Sequence, residues 1–244
     1  MKKKPTPQEA LQLMKEGNKR FSNEESIHPH LTLKFLQDAA RANQGDYAYA
    51  TVVACSDSRV PVEAIFDAGV MDLFIVRIAG NVCGTDECGS IEYGLGHVKT
   101  PLLVILGHSN CGAVTAAAEV YIGQEHDIER NIPPLLEHIK PAVARSAKTH
   151  KLKELAPKGL CPVLKEAVIE TAIEENVRQS FYELFLASPT ACELVKSGKL
   201  LALGAFFDIA TGQVRWFSED FVLDTLEEAE KSPDHPKEAK THLG

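Results

Sequence analysis

The chain has 244 residues, 44% hydrophobic and 25% charged, which is enough apolar mass for one full-sized core without disulfide staples. Its net charge of −8 and isoelectric point near 5.6 argue against nucleic acid as a partner, and no basic patch interleaved with aromatics offsets that balance. No apolar run approaches the roughly 18 residues of a membrane span, and Met1–Lys4 leads into a polar helical pattern instead of the apolar core of a secretion signal. These features predict a cytoplasmic protein with no membrane partner, whose six cysteines read as thiols or metal ligands before disulfides.

Thr6 to Phe21 has the pattern of a surface helix, with Pro7 near its start and Ala10, Leu11, Leu13 and Met14 on one side. Residues 22–30 read as a loop and Leu31–Ala42 as a second helix, so residues 1–45 form an N-terminal helical arm. Short β-branched runs then alternate with helical stretches. Ala50–Cys55, Leu73–Ile78 and Leu102–Leu106 are expected strands. Val62–Asp67, Gly89–Val98 and Gly112–Tyr121 are expected helices, although Gly94 and Gly96 weaken the second. Residues 131–149, Val163–Ala187 and Thr190–Lys196 are further helices. Leu200–Ile209 and Gln213–Phe217 flank Ala210-Thr211-Gly212 as a hairpin, and residues 224–244 read as a loosely held tail.

This alternation predicts a single α/β domain over 1–244, with a mainly parallel central sheet of four to five strands flanked by helices. Ligands gather at the carboxyl ends of such strands. Cys55, Gly80-Asn81 and His108 all fall at those ends.

Two segments there carry chemistry: Cys55-Ser56-Asp57-Ser58-Arg59 and His108-Ser109-Asn110-Cys111-Gly112. A cysteine ending a buried strand is ordinarily a small core residue, and a histidine after one an ordinary loop residue. The coincidence of both patterns, one after each of two strands, outweighs that reading. Cys55, His108 and Cys111 are a soft-to-borderline set suited to Zn²⁺, and three ligands leave a fourth tetrahedral position open, as in catalytic sites. If residues 55–59 are extended, Cys55, Asp57 and Arg59 share a side. Arg59 would then hold Asp57 ionised beside the open position. Such an Asp accepts a hydrogen bond from a metal-bound hydroxide, or swings in as a fourth ligand and closes the site. A second reading makes Cys55 a nucleophile with His108 as its base. Ser56-Asp57-Ser58 offers few backbone donors for a phosphate, however, and Asp57 would repel one.

The same residues resemble the β-class carbonic anhydrases, from about Glu16 to Phe217. The resemblance is carried by Glu16-Gly17-Asn18-Lys19-Arg20-Phe21, Ala54 through Pro61, Asp72-Leu73-Phe74, Arg77 with Ala79-Gly80-Asn81, Gly89 through Tyr93, and Gly107 through Gly112. It implies zinc held by Cys55, His108 and Cys111, and reversible hydration of CO₂ to bicarbonate and a proton by metal-bound hydroxide. Asp57 and Arg59 would be catalytic. It also implies a homodimer or homotetramer in which Phe74 and Tyr93 line a neighbouring subunit's narrow apolar pocket, with Ala79 and Gly112 beside the substrate. Backbone N–H groups around Gly112 would help hold a bicarbonate oxygen.

Where many members carry a pocket glutamine this chain has Asp46, Ile78 replaces an asparagine after the second strand, and Val52 stands where members with a bicarbonate-closed state carry tryptophan. A hydrolase of carbonyl sulfide or carbon disulfide on the same scaffold is an alternative, and an inactive zinc-binding scaffold is one of another class. Cys83 and Cys88 read as loop thiols, and Cys161 and Cys192 as core or surface thiols. His28, His30, His97, His126, His138 and His150 have no metal-ligand spacing. Ser90 and Glu92 are expected to serve capping or an interface.

Overall fold

ATVVA, LLVILGH and LALGAFF are runs of the kind that strands buried on both faces need, and LFIVR, ending in arginine, suits a partly buried edge. In a computed structural model, which describes residues 4–124, 127–151 and 162–236, they form the sheet. The strands are β1 (Ala50–Ala54), β2 (Leu73–Arg77), β3 (Leu102–His108), β4 (Leu201–Phe207) and β5 (Val214–Trp216), in the order β2-β1-β3-β4-β5. All pairs are parallel except β4 with β5. The expected mainly parallel α/β sheet is therefore present, with five strands.

Nine helices flank it among the described residues: α1 (Pro7–Ser22), α2 (Leu33–Ala39), α3 (Val62–Ile65), α4 (Thr85–Glu92), α5 (Gly112–Tyr121), α6 (Ile132–Thr149), α7 (Pro162–Ala187), α8 (Pro189–Lys196) and α9 (Glu219–Glu230). Side chains alternate across a strand. Ala50, Val52 and Ala54 thus pack with Met14 of α1 and Ile65 of α3. Val53, Leu103 and Ile105 pack with Phe181 and Leu184 of α7 and with Leu226 of α9. Among the described residues no helix is long and apolar enough to cross a membrane.

The sequence motif around α1 has a physical explanation. A Cβ at Gly17 would overlap the carbonyl oxygen of Phe66, so only glycine lets α1 lie this close to α3. Asn18 is 7% exposed; its amide donates to the carbonyls of Ile65 (3.2 Å) and Gly212 (2.9 Å), and its oxygen accepts from Val214 N (2.8 Å). One side chain thereby ties α1 to α3 and to the β4–β5 hairpin. Arg20 Nε donates to the fully buried Asp67 carboxylate at 2.6 Å, which also accepts from the N–H groups of Ile27 and His28. Burial opposes the Asp67 charge, but these donors outweigh it and hold the carboxyl below its usual range.

Two expectations are corrected and one is refined. The helix expected over Leu31–Ala42 shortens to α2, which buries none of its side chains, so nothing in this chain extends it. The helix expected over Gly89–Val98 is present as the end of α4 continued by a π-helical stretch, Tyr93–Val98, closed by Lys99 at φ 59°. Gly94 sits there because a Cβ would come within 2.5 Å of Thr51 Oγ1. The tail expected from residue 224 instead begins as the second half of α9, where Thr225, Leu226 and Ala229 are buried and Ser218 caps the helix. His126, Cys161 and residues 237–244 lie outside the described residues.

Replacing Asn18 by alanine leaves the Val214 N–H and two carbonyls without their partner. It is expected to lower the unfolding free energy by about 2–3 kcal/mol in urea titrations. A loss below about 0.5 kcal/mol, the range of an ordinary surface change, would show that α1 docks without this clamp.

Candidate metal centre

In an open parallel sheet the crevice for a ligand lies where connections leave neighbouring strands in opposite directions. Here that place is between β1, whose chain continues to β2 on one side, and β3, whose chain continues to β4 on the other. Cys55 follows β1 directly. His108 is the last residue of β3, in register with Phe207, because the strand runs two residues beyond its expected end at Leu106. Cys111 follows a short turn, in which Asn110 takes φ 56°, and caps the N-terminus of α5.

The donor atoms of Cys55, His108 and Cys111 all lie within 4.8 Å of one another, and this is the group that could hold a metal ion among the described residues. The three residues are 5%, 0% and 1% exposed. His108 Nδ1 faces the Ser109 carbonyl oxygen at 2.9 Å, so Nδ1 carries the proton and Nε2 a lone pair. Nε2 is buried without a hydrogen-bond partner. Such a group costs about 1–3 kcal/mol unless a ligand meets it. Two sulfurs, a free imidazole lone pair and mutual proximity are what a soft-to-borderline divalent metal requires, so the residues fit one.

Backbone donors surround the sulfurs. Cys55 Sγ accepts from Asp57 N (3.4 Å) and Gly80 N (3.3 Å). The N–H groups of Val114 and Ala113, in the first turn of α5, are directed at Cys111. The hydrogen bond from Cys111, helped by the Asp57 and Gly80 N–H groups and opposed by burial, pulls the Cys55 thiol far below its ordinary value. The same contact with Cys55, together with burial, pushes Cys111 far above it.

Asp57 and Arg59 meet, but not as an extended run. The chain turns at Ser58-Arg59, with Val60 N donating to Asp57 O at 3.0 Å. Asp57 Oδ1 accepts from the Arg59 backbone N–H and from Nε, both at 2.9 Å, and Oδ2 accepts from Nη2 at 2.6 Å. This pairing holds the Asp57 carboxyl far below the usual range. Asp57 is not among the residues whose donor atoms cluster within 4.8 Å of one another. Arg59 also reaches the carbonyl of Asn110 at 3.1 Å and so spans both ligand loops.

Of the remaining residues expected around the substrate, Ala79 belongs to the turn that contacts Cys55, and Gly112 opens α5 beside Cys111. Asp46, Phe74 and Tyr93 are not brought there. Asp46 is exposed before β1, and Phe74 pairs in register with Thr51 near the amino end of the sheet. Tyr93 is half exposed and stacks on Phe74 and His97.

Three supporting residues escaped sequence reasoning. Arg77 Nε donates to Cys55 O (3.0 Å) and Nη2 to Asp57 O (2.7 Å), fixing the first ligand loop. Its signal was an arginine ending an otherwise apolar strand. Asn176 and Ser180, on α7, bond the carbonyls of Gly80 and Asn81; their signal was polar residues on a buried helix face. Cys83 and Cys88 are core thiols, not loop thiols: both are buried, and Cys88 Sγ contacts the Cys83 carbonyl at 3.5 Å. Cys192 is likewise buried, and Glu92 accepts from Ser188, the cap of α8. His138 pairs with Glu183 and His150 with Thr171, away from the cluster.

Residues 50–214 match the family model described as carbonic anhydrase. A carbonic anhydrase of Mycolicibacterium smegmatis is 39% identical over 215 residues, covering 85% of this chain and 92% of that one. Among solved structures, the β-carbonic anhydrase CafA of Aspergillus fumigatus matches at a TM-score of 0.60 and 25% identity, over 91% of this chain and 97% of that one. A β-carbonic anhydrase from Sordaria macrospora, one of two described as tetrameric, shares the fold at a TM-score of 0.63 and 23% identity, over 83% of this chain and 94% of that one. With the family model spanning most of its length and its sheet shared with those structures, the chain belongs to the carbonic anhydrase family, in its β class.

Proposed function

We propose that the protein catalyses the reversible hydration of CO₂ to bicarbonate and a proton, with zinc as the metal held by Cys55, His108 and Cys111. The observation that carries this reading is the convergence of two thiols and an unpartnered imidazole nitrogen beside an ionised Asp–Arg pair, in a chain of this family. When bound, zinc acidifies water and so supplies a strong oxygen nucleophile near neutral pH.

The chain's own groups then divide the work. An ionised carboxylate only accepts hydrogen bonds. Asp57 therefore holds the O–H proton of the attacking oxygen and turns its lone pair toward the CO₂ carbon. Arg59 positions Asp57 and keeps it charged. The direction of the Asp57 shift fixes its pH behaviour. A carboxyl held low is ionised above its folded-state value and loses its charge only in strong acid. Asp57 therefore contributes no inflection between pH 5 and 9. The Val114 and Ala113 N–H groups withdraw charge from Cys111 at the start of α5.

We also infer a homodimer or homotetramer in the cytoplasm. Ile27, Leu31, Leu33 and Leu36 are 67%, 54%, 71% and 50% exposed, and no residue from 21 to 47 is buried. Burying each such side chain is worth about 1.5–3 kcal/mol, and a second copy provides the cover. Asp46, Phe74 and Tyr93, remote from their own metal centre, would then serve a neighbour's pocket. The free cysteines among the described residues suit a reducing compartment.

Stopped-flow CO₂ hydration by zinc-loaded protein, with carbonyl sulfide offered in parallel, tests the reaction. Activity is expected with CO₂, rising with pH through neutral or above, because two thiolates neutralise the dication. No CO₂ turnover at pH 7 and at pH 8.5 would sink the reading. Cys111→Ser is expected to lose stoichiometric zinc by atomic absorption, and a variant that keeps both zinc and rate contradicts the ligand assignment. Asp57→Asn and Arg59→Gln are each expected to lower kcat/KM by about 10–100-fold with zinc retained. In Arg59→Gln the Asp57 carboxyl should relax toward about 4, adding an acid limb near that pH which the wild type lacks. Leu33→Glu with Leu36→Glu is expected to yield monomers in sedimentation velocity, with CO₂ hydration reduced. An unchanged assembly would remove the arm from the interface.

A further inference from the structure

Cys55 has two backbone donors, and the one from Gly80 comes from an unusual place. Gly80 (φ 70°) and Asn81 (φ 45°) are consecutive left-handed residues just beyond β2. This conformation turns their carbonyls away from the sheet ladder and into the interior, where water cannot reach them. Gly80 must be glycine. A Cβ there would lie 2.8 Å from Ile139 Cδ1 and 3.2 Å from Ala113 Cβ. Glycine is also the residue with the most backbone freedom. The turn that directs an N–H at Cys55 Sγ is therefore the least self-supporting piece of the site.

Its support comes from α7. Asn176 Nδ2 donates to Gly80 O at 2.7 Å. Ser180 Oγ, one helical turn on, contacts Asn81 O at 2.8 Å and Asn176 O at 2.9 Å. Both residues are 1% exposed, on a helix face otherwise made of Ala172, Ile173, Val177, Phe181 and Leu184. The buried side-chain nitrogen and oxygen atoms without a hydrogen-bond partner among the described residues are His108 Nε2, Asn81 Nδ2 and Asn176 Oδ1. One belongs to a ligand and two to this turn and its support. Asn176 thus sits in the core with part of its hydrogen-bonding capacity unmet, a cost that packing alone does not call for.

We propose that Asn176 and Ser180 are positioning residues for the metal ligand Cys55, acting through the Gly80-Asn81 turn. They clamp its two carbonyls so that the Gly80 N–H stays directed at the sulfur. The inference rests on the metal reading above and extends it to a helix about 120 residues away in sequence from Cys55. Removing the clamp frees the glycine, weakens the N–H···S bond and leaves the Cys55 sulfur a more electron-rich and less well-aimed donor.

The test uses full-length protein stripped and reloaded with Zn²⁺ or Co²⁺. Zinc affinity is read by competition with a chromophoric chelator, and the thiolate-to-cobalt charge-transfer band by absorption. Asn176→Leu, which keeps the volume and removes the donor, is expected to bind zinc about 10-fold or more weakly and to move the band to longer wavelength. Ser180→Ala should shift both in the same sense by less, and Ser180→Thr, which keeps the hydroxyl, should restore them. Leu184→Ala, buried on the same helix with no polar group to offer the turn, controls for lost stability. It should lower the unfolding midpoint and leave affinity and band as in wild type. Wild-type affinity and band in both Asn176→Leu and Ser180→Ala, or an equal change in Leu184→Ala, would overturn the inference alone. If Asn176→Leu does not fold, the Ser180 pair decides. A wild-type protein that takes up no stoichiometric cobalt, or shows no thiolate band, overturns the metal reading and this inference with it.

Discussion

Three lone-pair donors, two sulfurs and an imidazole nitrogen, converge within 4.8 Å in the interior of this chain. At that spacing they repel one another unless a cation or a shared proton lies among them. The Cys55 sulfur accepts N–H groups from Asp57 and Gly80, and with the contact from Cys111 these hold its thiol low. The backbone donors come from three separate elements: the loop after β1, the turn after β2 and the first turn of α5. Much of the architecture on the carboxyl side of the sheet serves to bring those donors to that point.

The sheet makes this convergence inexpensive. Because β1 and β3 are neighbours whose chains leave to opposite sides, the crevice between their ends opens without any strand being bent. The loops that fill it are then fixed by long side chains instead of regular structure. Arg77 holds two carbonyls of the first loop, and Arg59 joins Asp57 of that loop to Asn110 of the second. Guanidinium groups suit this task because their planar, multiple donors fix direction as well as distance. Asp57 is thereby ionised and aimed before any substrate arrives, and its cost of ordering is met in folding.

Sequence reasoning reached the parts of this arrangement that depend on local order. Uninterrupted apolar runs marked β1 to β4, and α5 was located to the residue because Gly112–Tyr121 is rich in good helix formers. Cys55, His108 and Cys111 stood out because metal-capable residues directly followed strands. What stayed hidden depends on contacts between distant segments. The turn at Ser58-Arg59 is made by Asp57 accepting from the Arg59 N–H, which competes with extension and is invisible to a strand pattern. The change from α- to π-helical winding after Glu92 occurs where Thr51 and Phe74 approach Gly94 too closely for a side chain. Asn176 and Ser180 looked like ordinary polar positions on a long helix, since nothing in their neighbourhood says that they face a left-handed turn some 96 to 99 residues away.

The residues that the resemblance grouped around the substrate divide along the sheet, and the division has a consequence. Ala79 and Gly112 stand at the carboxyl end with the ligand cluster, whereas Asp46 and Phe74 stand at or near the amino end of β1 and β2. A five-residue strand is ~17 Å long, too far for a side chain to bridge. On the proposed reading, one chain holds the metal donors but not the whole pocket wall. Tyr93, stacked on Phe74 and half exposed, presents a flat apolar surface beside edge strand β2, and the arm around α2 leaves four large aliphatic side chains in water. Both features are costly for a monomer and useful in an assembly. In the proposed oligomer the same burial that stabilises the contact also completes a neighbour's pocket, so metal binding belongs to the single chain while substrate selection belongs to the assembly. Asp46, the acid where an amide was expected, then acts on the substrate only through that contact. Its effect on bicarbonate release would vanish on dissociation, while the metal centre around Cys55, His108 and Cys111 stayed intact.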